Sequence, residues 1–161
     1  MDLREIGQDD WELFRLVRLQ ALEDAPDAFS TLLSEWQGEL DREDRWRKRL
    51  EGVPFNVIAV VDGRPVGLVS GTRVDERRSV ELISMWVAPA ARRTGIGLGL
   101  IEAVATWAES SGARVVTLAV KRENSPAVAL YERAGFIDQG VRPEALDERL
   151  MTRALTTIVA P

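Results

Sequence analysis

The sequence predicts a single α/β domain of the α+β kind spanning residues 1–161. Three observations predict it. Three strand-like runs follow one another between residues 55 and 87, joined by short turns, which reads as an antiparallel meander. Beyond them helix and strand alternate, and the chain closes on two further strands. The length, 161 residues, fits one domain of the common ~100–200. A domain of that size buries roughly 68–70% of its unfolded surface, enough for a core without covalent staples.

The elements follow in order. Residues 2–6 predict a short strand. Asp9 and Glu12 form a D-x-x-E box that marks a helix start. Leu13, Leu16, Val17, Leu19 and Leu22 continue it at near-helical spacing to about Glu23. Pro26 prevents further helix, and Asp27–Leu33 is a loop or short turn. Residues 34–51 predict a second helix, with Trp36, Leu40, Trp46 and Leu50 on one side. Its charged run, Asp41–Arg49, reads as a solvated face.

Phe55–Val61 is apolar and β-branched, Asp62-Gly63 is a two-residue hairpin turn, and Pro65–Thr72 returns. Val74–Arg78 is a polar turn, and Val80–Val87 is the third run. Gly95–Ser111 predicts a helix ended by Gly112. Arg114–Val120 lacks clear alternation, as a strand buried on both faces does. Ser125–Ala134 predicts a helix closed by Gly135. Phe136 opens another strand, and Leu150–Val159 is expected to pair back as the last.

Composition removes whole classes of chemistry. The chain has no cysteine, no histidine and one tyrosine. Disulfides, thiolate metal sites, cysteine nucleophiles, Ser-His-Asp triads and imidazole bases are therefore excluded. Proton transfer falls to carboxylates, Lys, Tyr, water or backbone. The net charge is −5, and it is uneven. Residues 1–80 hold 12 Arg and Lys against 17 Asp and Glu, and the rest hold nine against nine. That balance argues against a nucleic-acid partner and suits a cationic small one. The sequence has no apolar run long enough for a membrane span and a charged N-terminus, so a cytoplasmic protein is expected.

The sharpest motif lies between the third meander run and the next helix, at Arg92-Arg93-Thr94-Gly95-Ile96-Gly97-Leu98-Gly99. A helix N-terminus presents unpaired N–H groups and partial positive charge, and glycines let an anion approach. Two arginines precede them, so the segment is a candidate pyrophosphate site. A Walker A loop requires a Gly-Lys pair that is missing. A dinucleotide fold requires G-x-G-x-x-G directly after a strand, whereas these glycines run G-x-G-x-G and lie beyond a gap after Val87.

Arg92-x-x-Gly95-x-Gly97 resembles the Q/R-x-x-G-x-G/A acyl-CoA signature of the GNAT family of N-acetyltransferases. Asn124-Ser125-Pro126-Ala127, with Leu130-Tyr131-Glu132-Arg133-Ala134-Gly135-Phe136, is similar to that family's second signature. The resemblance implies a mixed central sheet of about seven strands and about four helices. In it the third meander strand splays from the next strand. It also implies transfer of acetyl from acetyl-CoA to a primary amine of a small molecule or peptide, by direct attack in a ternary complex and without a metal. A different acyl-CoA donor, or a CoA-binding protein without turnover, is the alternative.

Carried onto this chain, the resemblance implies that the main chain of Met85 and Val87 holds the pantetheine arm. The N–H groups of Arg93, Thr94, Gly95, Ile96, Gly97, Leu98 and Gly99 take the pyrophosphate, helped by the Arg92 side chain. Gly99 alternatively serves close packing on the sheet. Tyr131 protonates the departing thiolate, as a phenol of pKa about 10 can at neutral pH. Asn124 bridges the CoA arm and the fold, or caps the helix it precedes. Glu81 is the candidate base for an amine that is largely protonated at pH 7, and its alternative is pairing with Arg77 or Arg78. The acceptor cleft is expected around residues 24–36 and 138–148. There Phe29 and Trp36 line it, and Asp24, Asp27 and Glu35 attract a cation. Trp11, Trp36, Trp46 and Trp107 are otherwise read as packing residues. Trp86 is expected to share a strand face with Ser84, opposite Met85 and Val87. A homodimer is compatible with the resemblance.

Overall fold

Seven strands form one sheet in the computed structural model, which describes residues 1–29 and 31–156. The elements are β1 (Asp2–Glu5), α1 (Trp11–Asp24), α2 (Glu43–Gly52), β2 (Phe55–Val61), β3 (Arg64–Gly71), β4 (Ser79–Val87), α3 (Ile96–Ser110), β5 (Val115–Lys121), α4 (Ser125–Arg133), β6 (Ile137–Arg142) and β7 (Ala145–Ala154). The strand order is β1-β2-β3-β4-β5-β7-β6. Every pairing is antiparallel except β4 with β5, which is parallel. This is the mixed sheet with four helices that the resemblance implies.

The apolar β2 run reads as it does because both its faces are covered. Phe55, Val57 and Ala59 pack with α3, while Ile58 and Val60 pack with α1 and α2. The two cores therefore share one sheet. Asp62 and Gly63 join β2 to β3 with φ of 50° and 75°, the left-handed pair that a two-residue hairpin of this twist requires. Aromatic rings fill both sides. Trp46 lies 4.3 Å from Trp36 and 6.0 Å from Phe14, and Trp107 stacks on Phe55 at 4.8 Å. Fully burying a side chain such as Phe14 or Leu100 contributes about 1.5–3 kcal/mol.

Three expectations are corrected. The box at the first helix uses Asp10, whose carboxylate accepts from the Gly7 N–H at 2.9 Å, because one 3-10 turn precedes α1. The expected helix over 34–51 is two 3-10 turns, Leu33–Trp36 and Gly38–Leu40, and then α2. Gln37 is extended and Gly38 takes a φ of 61°, which interrupts the helix. The last strand starts at Ala145 rather than Leu150, because a two-residue turn at Pro143-Glu144 folds β6 onto β7. Its charged residues find partners across the strands, as Lys121 does with Asp147 and Arg142 with Glu148. Part of that expected strand, 157–159, lies outside the described residues.

Candidate active site

The sheet opens where β4 and β5 part. They pair only at Ser79, Val80 and Glu81, opposite Val115, Val116 and Thr117. Beyond that point β5 pairs only with β7, and the gap side of β4 has no strand partner among the described residues. A bulge accompanies the opening. Between the Leu68–Trp86 and Ser70–Ile83 pairs, β4 carries one extra residue, and Ser84 adopts a φ of 57°. Bulges bend a strand and increase its twist. This one also shifts the side-chain alternation, so Leu82 packs with α3 and Trp86 with α1 and α2. Met85 and Val87 pack on the α3 side and Ser84 faces α2 through Arg49, as expected. The Ala88 N–H bonds to Val66 on β3, so alternation aims the N–H and C=O of Val87 into the gap.

The glycine loop supplies donors at the mouth of that gap. Gly95 stands just before α3 with a φ of 87°, and Arg93 has a φ of 64°. Six consecutive N–H groups, Arg93 to Leu98, donate to nothing among the described residues. The series ends at Gly99, whose N–H bonds to the Gly95 carbonyl at 3.0 Å. The Gly99 N–H is thus consumed in the first helical turn, which favours the close-packing alternative for this residue. A Cβ there would meet Met1 Cε at 3.0 Å. Gly97 brings α3 against two other elements. A Cβ on it would lie 2.9 Å from Leu130 Cδ2 on α4 and 3.4 Å from Met85 Cε on β4.

Arg92 is engaged. Its Nε donates to the Val87 carbonyl at 3.0 Å, and its Nη2 donates to Asp24 Oδ2 at 2.8 Å. The Trp86 indole donates to the same oxygen at 2.9 Å. Asp24 thus ties the end of α1 to β4 and the glycine loop, and it is not a free anion for a ligand. Arg93 and Thr94 are exposed, and the side chain of Ile96 is buried.

Tyr131 lies on α4, buried beside Phe136 with ring centroids 5.8 Å apart. Its hydroxyl makes no hydrogen bond among the described residues. Desolvation pushes its pKa up, so the phenol holds its proton well into the alkaline range. Asn124 caps α4, its Oδ1 accepting from the Ala127 N–H at 3.3 Å. Glu81 sits at the last β4–β5 pair and forms no ion pair with Arg77 or Arg78 among the described residues. Partial desolvation raises its pKa, Arg142 opposes that rise and Glu148 adds to it.

A broad cleft of about 1000 Å³ lies among the end of α1, the loop after it, the end of β5 and the β6–β7 hairpin. Asp24, Asp27, Lys121, Asn124, Asp147 and Arg149 line it. Glu35 and Trp36 do not, and neither does Phe29. Trp36 is instead covered by Arg45, 4.2 Å from its ring centroid, and packs on Trp46. Sequence reasoning also missed Arg18, which it did not single out, and Arg49, which it read as part of a solvated face. Arg18 is only 7% exposed, and Arg49 reaches Ser84 Oγ at 3.2 Å.

A splayed parallel strand pair beside a glycine-rich helix start defines an acyl-CoA transferase fold. Residues 11–136 match the acetyltransferase (GNAT) family, and the chain belongs to it. A Methanocaldococcus jannaschii protein named as an uncharacterized N-acetyltransferase is 34% identical over 89 residues, a match covering 52% of this chain and 39% of that protein. The chain thus spans about two-fifths of the length of the curated relative it matches. The structure is similar to spermidine N-acetyltransferase from Vibrio cholerae, solved with CoA and spermine, at a TM-score of 0.78 and 19% identity. That alignment covers 99% of this chain and 98% of that one. Ribosomal-protein-alanine N-acetyltransferase from Brucella melitensis aligns at a TM-score of 0.70 and 26% identity, over 96% and 100% of the two chains. No described helix is long and apolar enough to cross a membrane.

Proposed function

We propose that the chain is an N-acetyltransferase that moves the acetyl group of acetyl-CoA to a primary amine. The observation that carries this reading is the run of six unpartnered N–H groups, Arg93–Leu98, at the mouth of the β4–β5 gap. Such an array binds an anion without a charged side chain, through its free N–H dipoles and the α3 macrodipole. The CoA pyrophosphate fits it. The unpaired edge of β4 then accepts the pantetheine amides at Met85 and Val87, as an added strand would. At Val87 the arm competes with Arg92, which holds that carbonyl at 3.0 Å.

The reaction is direct. The amine nitrogen attacks the thioester carbon, the carbonyl oxygen takes negative charge, and a β4 N–H near the splay stabilises it. The C–S bond then breaks. The departing thiolate takes the phenolic proton of Tyr131, whose hydroxyl has no described protein partner to compete. Glu81, directly or through water, takes the proton the amine gives up. Its raised pKa makes it a better acceptor than an ordinary surface carboxylate. No covalent enzyme intermediate is needed, which suits a chain without Cys or His.

Thiol release from acetyl-CoA, measured against a panel of amino acids, peptides, polyamines and aminoglycosides, tests the proposal. Amine-dependent release is the expected result. Stabilisation by CoA with no turnover across the panel would instead make this a CoA-binding protein.

A further inference from the structure

Two neighbouring guanidinium groups, Arg49 against the β4 bulge residue Ser84 and Arg18 beside Arg49, have no carboxylate partner among the described residues. Arg18, on α1, is 7% exposed. Among the described residues it forms no ion pair and no hydrogen bond, and its Nη1 is buried without any partner. Its guanidinium carbon lies 4.7 Å from the Phe29 ring centroid. That contact uses the face of the group and leaves its in-plane donors unspent.

Arg49, on α2, donates to Asn56 Oδ1, Ser70 Oγ and Ser84 Oγ, each at 3.2 Å. All three acceptors are neutral. Phe14 lies beneath it, with the guanidinium carbon 5.1 Å from the ring centroid. Each arginine is held down to about 10 by burial, and Arg49 adds a like charge against Arg18. Buried charges are normally paired, and one left unpaired is costly to the fold. A costly, unspent donor set is explained when a ligand completes it.

The position says which ligand. Ser84 is the bulge residue at the opening of the β4–β5 gap, where the thioester is placed by the function proposed above. Ala28 lines the acceptor-side cleft, and the next residue, Phe29, is the one resting on Arg18. Phe29 covers one face of the Arg18 guanidinium, and its displacement would open that face toward the cleft wall at Ala28. A guanidinium fork recognises a carboxylate through two parallel N–H···O bonds. We propose that Arg18 and Arg49 bind a carboxylate carried by the acceptor, so that the acceptor is an amino acid or a short peptide whose carboxylate lies near its amine. Polyamines and aminoglycosides lack that group.

This inference rests on the acetyltransferase reading, and its test separates the two. Amino acids are compared with their carboxamides as acceptors, and N-acetylamino acids are compared with their amides as probes in thermal-shift titration without CoA. The expected results are kcat/KM at least tenfold higher for the acids, and stabilisation by the N-acetylamino acids alone. In Arg18→Met, and in Arg18→Gln should Arg18→Met fail to fold, the acid-to-amide ratio falls several-fold and the thermal shift shrinks, Arg49 alone remaining to hold the carboxylate. Equal kcat/KM for acids and amides, or a ratio the variants leave unchanged, overturns the proposal. If no amine is acetylated, the thermal shift decides: carboxylate-selective stabilisation weakened in the Arg18 variants supports the site, and its absence overturns it.

Discussion

Replacing Gly95 by alanine separates a conformational demand from a steric one. A Cβ built at Gly95 meets nothing within 4 Å, so the substitution causes no clash. The backbone there has a φ of 87°, a left-handed conformation that costs an L-residue roughly 1–2 kcal/mol. Two outcomes are open to the chain. It keeps the turn and loses that stability, or it relaxes φ and redirects the N–H groups on either side. For a protein of this size about 1 kcal/mol moves Tm by roughly 2–4 °C, so a drop of about 2–8 °C is expected if the turn is kept. Asparagine tolerates this region better, so Gly95→Asn should recover about half or more of the loss. Thermal unfolding followed by circular dichroism reads the stability, and calorimetric titration with CoA reads the site. CoA affinity should fall several-fold in Gly95→Ala even with the fold intact. A variant as stable as the parent that binds CoA equally well would refute the claim that this φ builds the site.

Other perturbations probe other parts. Tyr131→Phe should lower kcat by about 10²-fold, within the range for a lost general acid, and leave CoA affinity within about twofold; unchanged turnover would remove Tyr131 from the mechanism. Because burial raises the Tyr131 pKa, no alkaline limb near pH 10 should arise from it in the rate profile. Desolvation raises the Glu81 pKa, so kcat/KM should fall as pH drops through that raised value; Glu81→Gln should abolish this limb, and an unaltered profile would exclude Glu81 as base. Asp41 is lowered to about 2 by hydrogen bonds from Arg15 and Trp46. A depressed carboxylate stabilises above its unfolded pKa and ceases to do so as pH falls toward 2. Asp41→Asn should therefore cost about 1 kcal/mol at pH 7, after allowance for solvent screening, and progressively less as pH falls toward 2, by thermal melts.

Much of the fold was legible because its signals are local. Asp62-Gly63, the apolar β-branched run of β2 and the glycine ending the helix before Phe136 each declare themselves within a few residues. The β6–β7 hairpin did not, because its polar residues are satisfied by partners on the facing strand. Arg142 pairs with Glu148 and Arg149 with Asp138, so the alternation of apolar residues is weak. The glycine loop was readable from spacing and resemblance, but the loss of the Gly99 N–H to Gly95 depends on where the first helical bond closes. The bulge at Ser84 has no composition cue, since serine seldom occupies positive φ. Arg18 and Arg49 were hidden for a different reason. A helical arginine looks the same in sequence whether it faces water or a sheet, and only the packing of Phe14 and Phe29 shows which.

The central claim is that acetyl-CoA lies across the Arg93–Leu98 amides and along the open edge of β4. Amide chemical shifts of the isotope-labelled protein, followed through titration with acetyl-CoA, test it most directly. The account predicts that the largest changes fall on Arg93–Leu98 and on Ile83–Val87, with Gly99 and the β2–β3 turn little affected. Changes centred on the β2–β3 turn or on β1, with the six loop amides unmoved, would contradict it.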